Sequence, residues 1–467
     1  MKIKFIGAAE GVTGSKHMIM TNSGKQFLLD CGLYQGMGKE TDEMNRSLGV
    51  NPTEIEAVLL SHAHIDHSGN LPLLVKQGFI GKIYCTTATF DVCKILLMDS
   101  AHIHEGDVSF INKHRRKKGL PDIKPLYTIH DTEKCLKQFK PLNFNTEFYL
   151  NDELSFNFSE NGHIIGSSAI NITSHETQEK IKLSFSGDIG RYTDPILKSP
   201  SVFPKADYII CESTYGNRIH NTIEDSESEI LKIVKNTCLD KKGKLIIPAF
   251  SLGRTQEILF ILNKLYNKKL LPEIRIFVDS PLSAKATEVV NKHHECFNEE
   301  LKLYLKNDED PFGFPNLKYI QDTAESIALN KIDDPCIIIS ASGMCDAGRV
   351  KHHLRNTISD SKNTVLITGY CAPNTLGAQL TNGEKRVHIF CDFFDVKATI
   401  ETIHSLSAHA DYLEMIRYLS CQDKEKVKKI FLVHGETEAK ISFREKLISE
   451  GYHNVIIPLK GESSILG

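Results

Sequence analysis

Four side chains that can bind a metal ion fall within six consecutive positions of the sequence. They are His62, His64, Asp66 and His67, in the pattern H-x-H-x-D-H. His62 and His64 alternate and can point the same way, whereas Asp66 and His67 come about one turn later and can face a second point. This spacing suits two metal ions, and imidazole nitrogens with few carboxylates favour zinc over magnesium or calcium. Ordinary polar residues on a loop are the alternative, which four ligand-type residues at such close spacing disfavour.

The residues on either side of this cluster predict how it is presented. Residues 57–60 are a short apolar run typical of a buried strand. Asn70 can cap a helix, and Pro72 suits a first helical turn. The cluster is therefore expected on a loop at the carboxyl end of a strand, where open α/β sheets place their sites.

Three more candidates stand at or between predicted strands. Asp30 ends a strand and is predicted to orient a ligating imidazole, although a turn-forming aspartate before Gly32 is the alternative. His163 lies in a glycine-flanked loop, and Asp188 follows another strand. Each is weak alone. Together they supply a third histidine for one metal and a carboxylate able to bridge two.

The second half of the chain adds an acid and two imidazoles. Glu212 closes a predicted strand, His409 stands at the start of a helix, and His434 ends a strand. His434 would complete the second metal site, and His409 could donate a proton. Histidines that are merely hydrogen-bonded in loops are the competing interpretation, and the placement at element ends favours the functional one.

Between Glu212 and His409 the sequence pattern changes to regular strand–helix alternation, which argues for a parallel sheet flanked by helices. We therefore predict an inserted α/β domain over 217–405, between the N-terminal part (1–216) and the C-terminal part (406–467) of a first domain. Predicted strands and helices of the whole chain include strands 2–7, 16–21, 26–30, 142–149, 154–159, 169–174, 181–186, 207–216, 244–248, 273–278, 335–340 and 363–367, and helices 89–118, 222–240, 252–266, 322–330 and 346–355.

Three strand-to-helix junctions of the inserted domain contain Arg254, Ser342 and Thr375. Helix N-termini bind phosphate through free amide groups, so these junctions are candidates to line a groove for phosphates. Plain turn chemistry is the alternative for each. A basic run, Lys113–Lys118, ends the long predicted helix and could likewise touch phosphates, or be only a solvated face.

Bulk composition limits the class of protein. The chain has 467 residues, which implies two or three domains, and its 41% hydrophobic and 25% charged residues are ordinary for a soluble protein. It shows neither an apolar run of membrane-spanning length nor a signal-peptide core. Twelve cysteines without a C-x-x-C pair suggest reduced thiols, so we expect a cytoplasmic protein. The net charge of −3 gives no indication of a nucleic-acid partner. If the protein binds one, local basic groups and a metal centre would have to hold it.

Taken as a set, these motifs resemble the metallo-β-lactamase superfamily. The H-x-H-x-D-H cluster with Asp30, His163 and Asp188 resembles its catalytic domain. Glu212, a long insertion, Ser-Ala-His409 and Val-His434-Gly resemble the β-CASP branch of RNA-processing nucleases. Within that branch, the chain is similar to the endonuclease subunit of the cleavage and polyadenylation specificity factor and to its prokaryotic relatives.

The resemblance implies an α/β fold, an αββα metallo-β-lactamase sandwich with an inserted β-CASP domain, and two zinc ions per chain. One zinc would be held by His62, His64, His163 and Asp188. The other would be held by Asp66, His67, His434 and the shared Asp188. Asp30 would support the site from behind, and the catalytic residues would be Asp66, His409 and Glu212.

The implied activity is hydrolysis of single-stranded RNA by a metal-bound hydroxide, leaving 3′-hydroxyl and 5′-phosphate ends. His409, kept protonated by Glu212, would donate to the departing 3′-oxygen. Arg254, Ser342 and Thr375 would hold flanking phosphates. An endonuclease is favoured over a 5′-exonuclease, because the C-terminal domain usual in exonucleases of the RNase J type is missing. No membrane partner is expected, and the assembly is open between a monomer and a homodimer.

The sequence departs from the family at one place and leaves other activities open. Relatives often carry Gly-Thr-Leu-Gly-Arg where this chain has Asn374–Ala378, so Gln379, Lys385 or Arg386 would have to replace one phosphate contact.

A hydrolase of small thioesters or lactones, a catalytically silent RNA-binding partner and a DNA-processing nuclease are the alternatives. The inserted domain with Glu212 and His409 argues against the first, and the complete set of ligands argues against the second.

Overall fold

The apolar runs of the sequence form strands in two separate units of the chain. This computed structural model describes residues 1–36, 38–220, 224–369, 371–372, 374–403 and 406–467. Unit 1 comprises residues 1–192, 199–219 and 409–467, and unit 2 comprises residues 193–198 and 220–408. Ser405, the last residue of the predicted inserted domain, lies outside the described residues.

Unit 1 is built on two seven-stranded sheets. In spatial order, the first consists of β22 (Ser463–Ile465), β1 (Lys2–Gly7), β2 (Lys16–Met20), β3 (Gln26–Leu29), β4 (Ile55–Leu59), β5 (Lys82–Thr86) and β6 (Phe139–Leu142). The second consists of β21 (Val455–Ile456), β20 (Lys429–Val433), β11 (Tyr208–Glu212), β10 (Ile181–Phe185), β9 (Ser168–Ser174), β8 (Leu154–Glu160) and β7 (Phe148–Tyr149).

Side chains from both sheets meet in one apolar core. Phe5 and Leu29 of the first sheet join Phe156, Leu183 and Phe431 of the second, and each is at most 2% exposed. Within each strand the core-facing side chains occupy alternate positions, because side chains of a pleated strand point alternately to its two faces. The core therefore lies between the sheets.

Helices cover the outer faces of both sheets in unit 1. They are α1 (Thr41–Arg46), α2 (Ile65–Ser68), α3 (Leu71–Lys76), α4 (Thr87–Lys117), α5 (Ile129–Leu136), α13 (Tyr412–Leu419) and α14 (Thr437–Ser449). Met415 of α13 and Phe443 of α14 pack with Ile209 and Leu432, which face away from the central core. The result is the αββα sandwich expected from the sequence.

Unit 2 contains a six-stranded sheet in which every pairing is parallel. Its order is β14 (Leu317–Tyr319), β13 (Arg275–Asp279), β15 (Cys336–Ser340), β12 (Lys244–Pro248), β16 (Thr364–Ile367) and β19 (Thr399–Thr402). A hairpin of β17 (Arg386–Ile389) and β18 (Asp392–Asp395) is separate from it. The helices of this unit are α6 (Glu224–Val234), α7 (Arg254–Asn267), α8 (Pro281–Val290), α9 (Glu299–Tyr304), α10 (Thr323–Leu329), α11 (Val350–Thr357) and α12 (Leu376–Thr381).

The α/β class predicted from the sequence is confirmed, but several elements differ. Of the strand predicted over 142–149, only Leu142, the last residue of β6, and Phe148–Tyr149, which form β7, are in strands, because the chain turns between them at Asn145, whose φ is +56°. The strand predicted over 207–216 stops at Glu212. The predicted helix 222–240 begins outside the described residues, and after Val234 it widens into a π-helical turn over Lys235–Asp240. The patterns did not predict β5, α1, α5, α14, β21 and β22 in unit 1, nor α8, α9, β14, β19 and the hairpin in unit 2.

The described helices include none that is both long enough and apolar enough to cross a membrane. The longest, α4, has 31 residues, but its sequence is rich in charged side chains.

We expect the central core of unit 1 to dominate its stability. Phe156 is 1% exposed and its ring lies 5.5 Å from that of Tyr84 and 5.3 Å from that of Phe158. Phe156→Ala should lower the free energy of unfolding by about 3–5 kcal/mol, because it leaves a cavity. The chain has no tryptophan, so urea unfolding is best followed by circular dichroism. Phe110→Ala is the matched control because Phe110 is 66% exposed, and it should change stability by less than about 0.5 kcal/mol. Equal losses would contradict the assignment of the core.

Candidate metal centre

The predicted ligands lie at the carboxyl ends of neighbouring parallel strands of unit 1. In the first sheet, β3 pairs with β4 in parallel, so Asp30 and the H-x-H-x-D-H loop leave the same edge. In the second sheet, β10, β11 and β20 are parallel neighbours, and Asp188, Glu212 and His434 stand at their carboxyl ends. His163 comes from the loop between β8 and β9. Parallel pairing thus gathers residues that are far apart in the chain.

Two backbone contacts hold the H-x-H-x-D-H loop against the end of β3. Cys31 donates its N–H to the carbonyl of His67 at 2.8 Å, and Asn70 donates to the carbonyl of Cys31 at 2.8 Å. A Cβ at Gly32 would stand 1.6 Å from the carbonyl oxygen of Asp66, so only glycine fits this approach. The position of the loop therefore depends on the segment after β3.

Asp30 is the centre of a buried hydrogen-bond network. Its Oδ2 lies 2.7 Å from His67 Nδ1 and accepts from the hydroxyls of Ser61 at 2.9 Å and Ser15 at 3.1 Å. Its Oδ1 accepts the backbone N–H of Ser61 at 2.8 Å. Asp30 is fully buried and has a φ of +58°. By binding Nδ1 of His67, it turns Nε2 of that ring toward the other ligands, which is the role expected from the sequence.

The first ligand group is His62, His64, His163 and Asp188. One donor atom from each lies within 4.8 Å of the others. His64 Nδ1 lies 3.2 Å from Nε2 of His62 and 3.2 Å from Nε2 of His163. The remaining nitrogen of His62 is 3.0 Å from the Ser61 hydroxyl, which orients the ring.

The second ligand group is Asp66, His67 and His434. Nε2 of His67 and Nε2 of His434 are 3.2 Å apart, and Asp66 Oδ2 lies 3.4 Å from His434 Nε2. The Thr214 hydroxyl lies 3.1 Å from His434 Nδ1 and so orients this imidazole as Ser61 orients His62.

Asp188 stands between the two groups. Its Oδ2 lies 3.5 Å from His62, 3.6 Å from His163 and 3.3 Å from His67, and its Oδ1 lies 3.5 Å from Nδ1 of His434. The side chain is 2% exposed, and among the described residues Oδ1 has no hydrogen-bond partner. A buried carboxylate oxygen that no donor satisfies is suited to a cation.

The donor set fits divalent metal ions. Tetrahedral zinc with Zn–N distances of about 2.0–2.1 Å holds its nitrogens about 3.3 Å apart, close to the 3.2 Å between the imidazole nitrogens of each group. Burial lowers the pKa of His62, and lowers that of His64 to about 4, which keeps both imidazoles neutral and able to coordinate. Burial alone would favour a neutral Asp188, but the neighbouring histidines, His434 first, hold its pKa well below the usual range. Neutral His62 and His64 beside a charged Asp188 suit a cation. At His67, by contrast, burial is outweighed by the carboxylates of Asp188, Asp30 and Asp66, which hold the pKa of His67 well above its usual range.

His409 and Glu212 form a pair beside the first ligand group. Nδ1 of His409 lies 3.2 and 3.3 Å from the two carboxylate oxygens of Glu212, and its ring centroid is 4.4 Å from that of His163. Glu212 also accepts the backbone N–H groups of Ile189 and Thr214. Burial opposes the charged imidazolium, but the Glu212 carboxylate outweighs it and raises the pKa of His409 to about 9. Bound cations would lower that pKa again, because like charges repel.

The predicted phosphate-binding residues lie in unit 2 and have protein partners there. Arg254 is 8% exposed, and its guanidinium donates to Glu257 at 2.5 Å. The Thr375 hydroxyl caps α12 by accepting from Ala378 N, and the Ser342 hydroxyl accepts from Ala347 N. These contacts show structural roles for all three side chains, and their phosphate contacts stay predictions.

Three residues that orient the site were not predicted from the sequence. Ser61 and Thr214 carried a local signal, since each stands within two positions of a predicted site residue. Lys440 carried none. It lies on α14, is 2% exposed, and donates from Nζ to the carbonyl of Ala9, next to Ala8, whose carbonyl accepts the backbone N–H of His434. Lys440 therefore supports the backbone that positions His434.

Comparison with protein-family models gives three matches along the chain. Residues 15–135 match the metallo-beta-lactamase superfamily, residues 255–380 match the Beta-Casp domain, and residues 394–458 match the Zn-dependent metallo-hydrolase RNA specificity domain.

Several characterised proteins are similar over almost the whole chain. Ribonuclease TTHA0252 of Thermus thermophilus is 32% identical over 97% of both chains, and an RNase J-like protein of Methanocaldococcus jannaschii is 30% identical over 98% of both. Cleavage and polyadenylation specificity factor 73 of Drosophila melanogaster is 30% identical over 93% of this chain and 60% of its own length. A solved structure from Enterococcus faecalis, titled a protein of unknown function, has 11% identity and a TM-score of 0.52, covers 100% of this chain and 99% of its own, and bears on the fold alone.

We expect Asp30→Ala to weaken metal binding about 10- to 100-fold, because the His67 ring loses the partner that fixes its orientation. A chelator competition on purified protein would measure this. Asp42→Ala is the control, since Asp42 is an exposed residue of α1 that pairs with Arg46 on the surface. Thermal unfolding in excess chelator would separate a lower metal affinity from a lower stability. Equal metal affinities for the two variants would contradict the role of Asp30.

Proposed function

The chain belongs to the metallo-β-lactamase superfamily, in its β-CASP branch, and from this we propose that it is a ribonuclease with two zinc ions that cuts single-stranded RNA internally. One observation carries the proposal: two buried ligand groups meet at Asp188, with the His409–Glu212 pair beside them. Relatives named as a ribonuclease and as RNase J-like support RNA as the substrate. We also assign residues 1–216 and 406–467 to the catalytic domain and residues 217–405 to the β-CASP domain.

The proposed zinc ligands divide into two groups that share one carboxylate. One zinc is held by His62, His64, His163 and Asp188, and the other by Asp66, His67, His434 and Asp188. When bound, a pair of zinc ions activates a water molecule near neutral pH and neutralises charge on the phosphoryl oxygens. The protein's part is to keep the donors oriented, through Asp30, Ser61 and Thr214.

The leaving group requires a proton, and His409 is the proposed donor. Its Nδ1 faces Glu212, so Nε2 is the atom from which a proton would pass to the departing 3′-oxygen. Glu212 fixes the ring and stabilises the imidazolium. Asp66, 18% exposed on its side chain, is the most accessible carboxylate of the two ligand groups. It is proposed to act on the water as well as on the metal.

His409→Ala should lower RNA cleavage about 10²- to 10⁴-fold and leave the zinc content unchanged, because it removes the acid and no ligand. The substrate is an RNA blocked at both ends and labelled internally, so that only internal cuts with 3′-hydroxyl and 5′-phosphate ends are scored. His130→Ala, at an exposed histidine of α5, is the control.

Three outcomes of this assay would contradict the proposal. Faster cutting of a DNA of the same sequence would favour a DNA-processing enzyme. Turnover of thioesters or lactones with no cutting of RNA would favour a small-molecule hydrolase. Normal cutting by His409→Ala would remove this histidine from the mechanism.

The zinc content of variants tests the shared carboxylate. Purified protein dialysed against zinc should hold about two ions per chain, as in other two-metal sites. His163→Ala should lose one ion, whereas Asp188→Ala should lose both, because Asp188 contacts both groups. Elemental analysis measures the ratio. One ion in the unaltered protein, or equal losses in both variants, would show that the groups are not joined in this way.

A further inference from the structure

Helix α4 extends from the metal centre to the surface of unit 1. Its N-terminus supports the loop that carries His163, since the hydroxyls of Thr86 and Thr89 donate to the carbonyl of Gly166 at 2.6 and 2.9 Å. Seven buried residues lie between Ala88 and Ala101, but beyond Ala101 Asn112 is the one buried residue of the helix. We call the exposed segment Ile103–Lys118 the α4 arm.

One face of the α4 arm carries apolar and cationic side chains in line, with one exposed carboxylate, Asp107, between Ile103 and Phe110. Ile103 and Phe110 are seven residues apart and are 52% and 66% exposed. Lys113, His114 and Lys117 continue the same face at spacings of three, four and seven residues from Phe110. The rings of Phe110 and His114 are in contact, with centroids 4.7 Å apart. The arm therefore presents an aromatic pair next to positive charge.

The arginines of the arm have a structural role. Arg115 donates to the carbonyl of Pro121 at 2.7 Å, and Arg116 donates to both carboxylate oxygens of Asp122. Asn112 exchanges two hydrogen bonds with the backbone of Ile123. These contacts fasten the returning chain to the helix and make the arm a rigid projection.

The lysines of the arm have no such partner. Lys113, Lys117 and Lys118 are exposed, and in the described part of the chain none has a carboxylate within 4.0 Å. The helix dipole stabilises cations in a last helical turn, which explains a lysine at position 117. It explains neither the exposure of Phe110 nor the presence of Lys113, which lies outside that turn. The protein as a whole has a net charge of −3, so this concentration of unpaired cations is local.

We propose that the α4 arm binds the RNA substrate away from the metal centre, with its three lysines on phosphates and the Phe110–His114 pair on a base. A single-stranded nucleic acid offers both partners, since phosphates pair with lysines and every base has a face that stacks on an aromatic ring. The inference rests on the proposed RNA substrate and extends it to a second contact.

The length of α4 sets the size of RNA that can use both contacts. Thr87 and Lys113 are 26 residues apart in the helix, which is about 40 Å at 1.5 Å per residue. A stacked strand with about 3.4 Å per nucleotide needs about 12 nucleotides to cover that distance. RNAs shorter than this should not sense the arm when held at the metal centre.

The test measures the RNA affinity of the full chain with its metal bound, in a His409→Ala background so that cutting is slow, by fluorescence anisotropy with an unstructured 24-nucleotide RNA. The triple variant Lys113→Gln, Lys117→Gln, Lys118→Gln should bind about tenfold more weakly at 0.1 M salt. It should also flatten the slope of log affinity against log salt by about 2, because three phosphate contacts are lost. Phe110→Leu should weaken binding about fivefold without changing that slope.

The matched control is the triple variant Lys82→Gln, Lys180→Gln, Lys182→Gln, which removes the same charge from exposed positions elsewhere in unit 1. With His409 present and metal bound, the arm variant should cut an 8-nucleotide RNA at the normal rate and a 24-nucleotide RNA more slowly. Equal weakening in both triple variants, or unchanged affinity in the arm variant, would overturn the proposal. So would loss of binding to phosphatidylserine vesicles with unchanged RNA affinity.

This design separates the inference from the proposed activity. If no RNA is cut but the arm variant still binds RNA selectively more weakly, the nuclease fails and the arm stands. If the 8-nucleotide RNA is cut and the arm variant binds RNA normally, the nuclease stands and the arm fails.

Discussion

A carboxylate sealed from water among four imidazoles is the constraint on which the site depends. Asp188 is 2% exposed on its side chain, and His62, His67, His163 and His434 all lie within 3.6 Å of it. Burying such a charge without compensation would cost many kcal/mol. The chain compensates it with nitrogens from both sheets, which draws two ligand groups to one point. Metal ions at that point would satisfy the carboxylate and the surrounding nitrogens at once.

That arrangement requires imidazole rings with fixed orientations, and neighbouring side chains fix them by hydrogen bonds. Asp30 and Ser61 each bind the nitrogen of a histidine that faces away from the other candidate ligands, and Thr214 binds Nδ1 of His434. Asp30 and His434 have φ values of +58° and +50°, a conformation that costs energy for residues other than glycine. The strain is maintained because two seven-stranded sheets and their core hold the strand ends in place.

Helix α4 connects the candidate metal centre with the surface of unit 1. The N-terminus of α4 holds the loop that carries His163, and its far end carries lysines that have no carboxylate within 4.0 Å in the described part of the chain. A helix is stiff over this length, so whatever binds the arm is held at a fixed distance from the ligands in unit 1. Arginines fix the arm while lysines remain available, because the planar guanidinium makes several directed hydrogen bonds and the lysine ammonium acts as a mobile charge.

The sequence by itself determined the class of fold and the family and identified the candidate ligands, because these depend on local spacing. H-x-H-x-D-H, the strand before it and the strand–helix alternation after Glu212 are all visible within short windows. Tertiary structure alone decided which neighbours hold the ligands and which candidate residues are engaged elsewhere. Arg254 pairs with Glu257 in the same helix, and only the packing of unit 2 buries this pair. Thr214 reaches His434 across 220 residues, and Lys440 reaches Ala9 across 431. Such contacts depend on how distant strands pair, and pairing is set by the packing of the whole core, which short sequence windows do not contain.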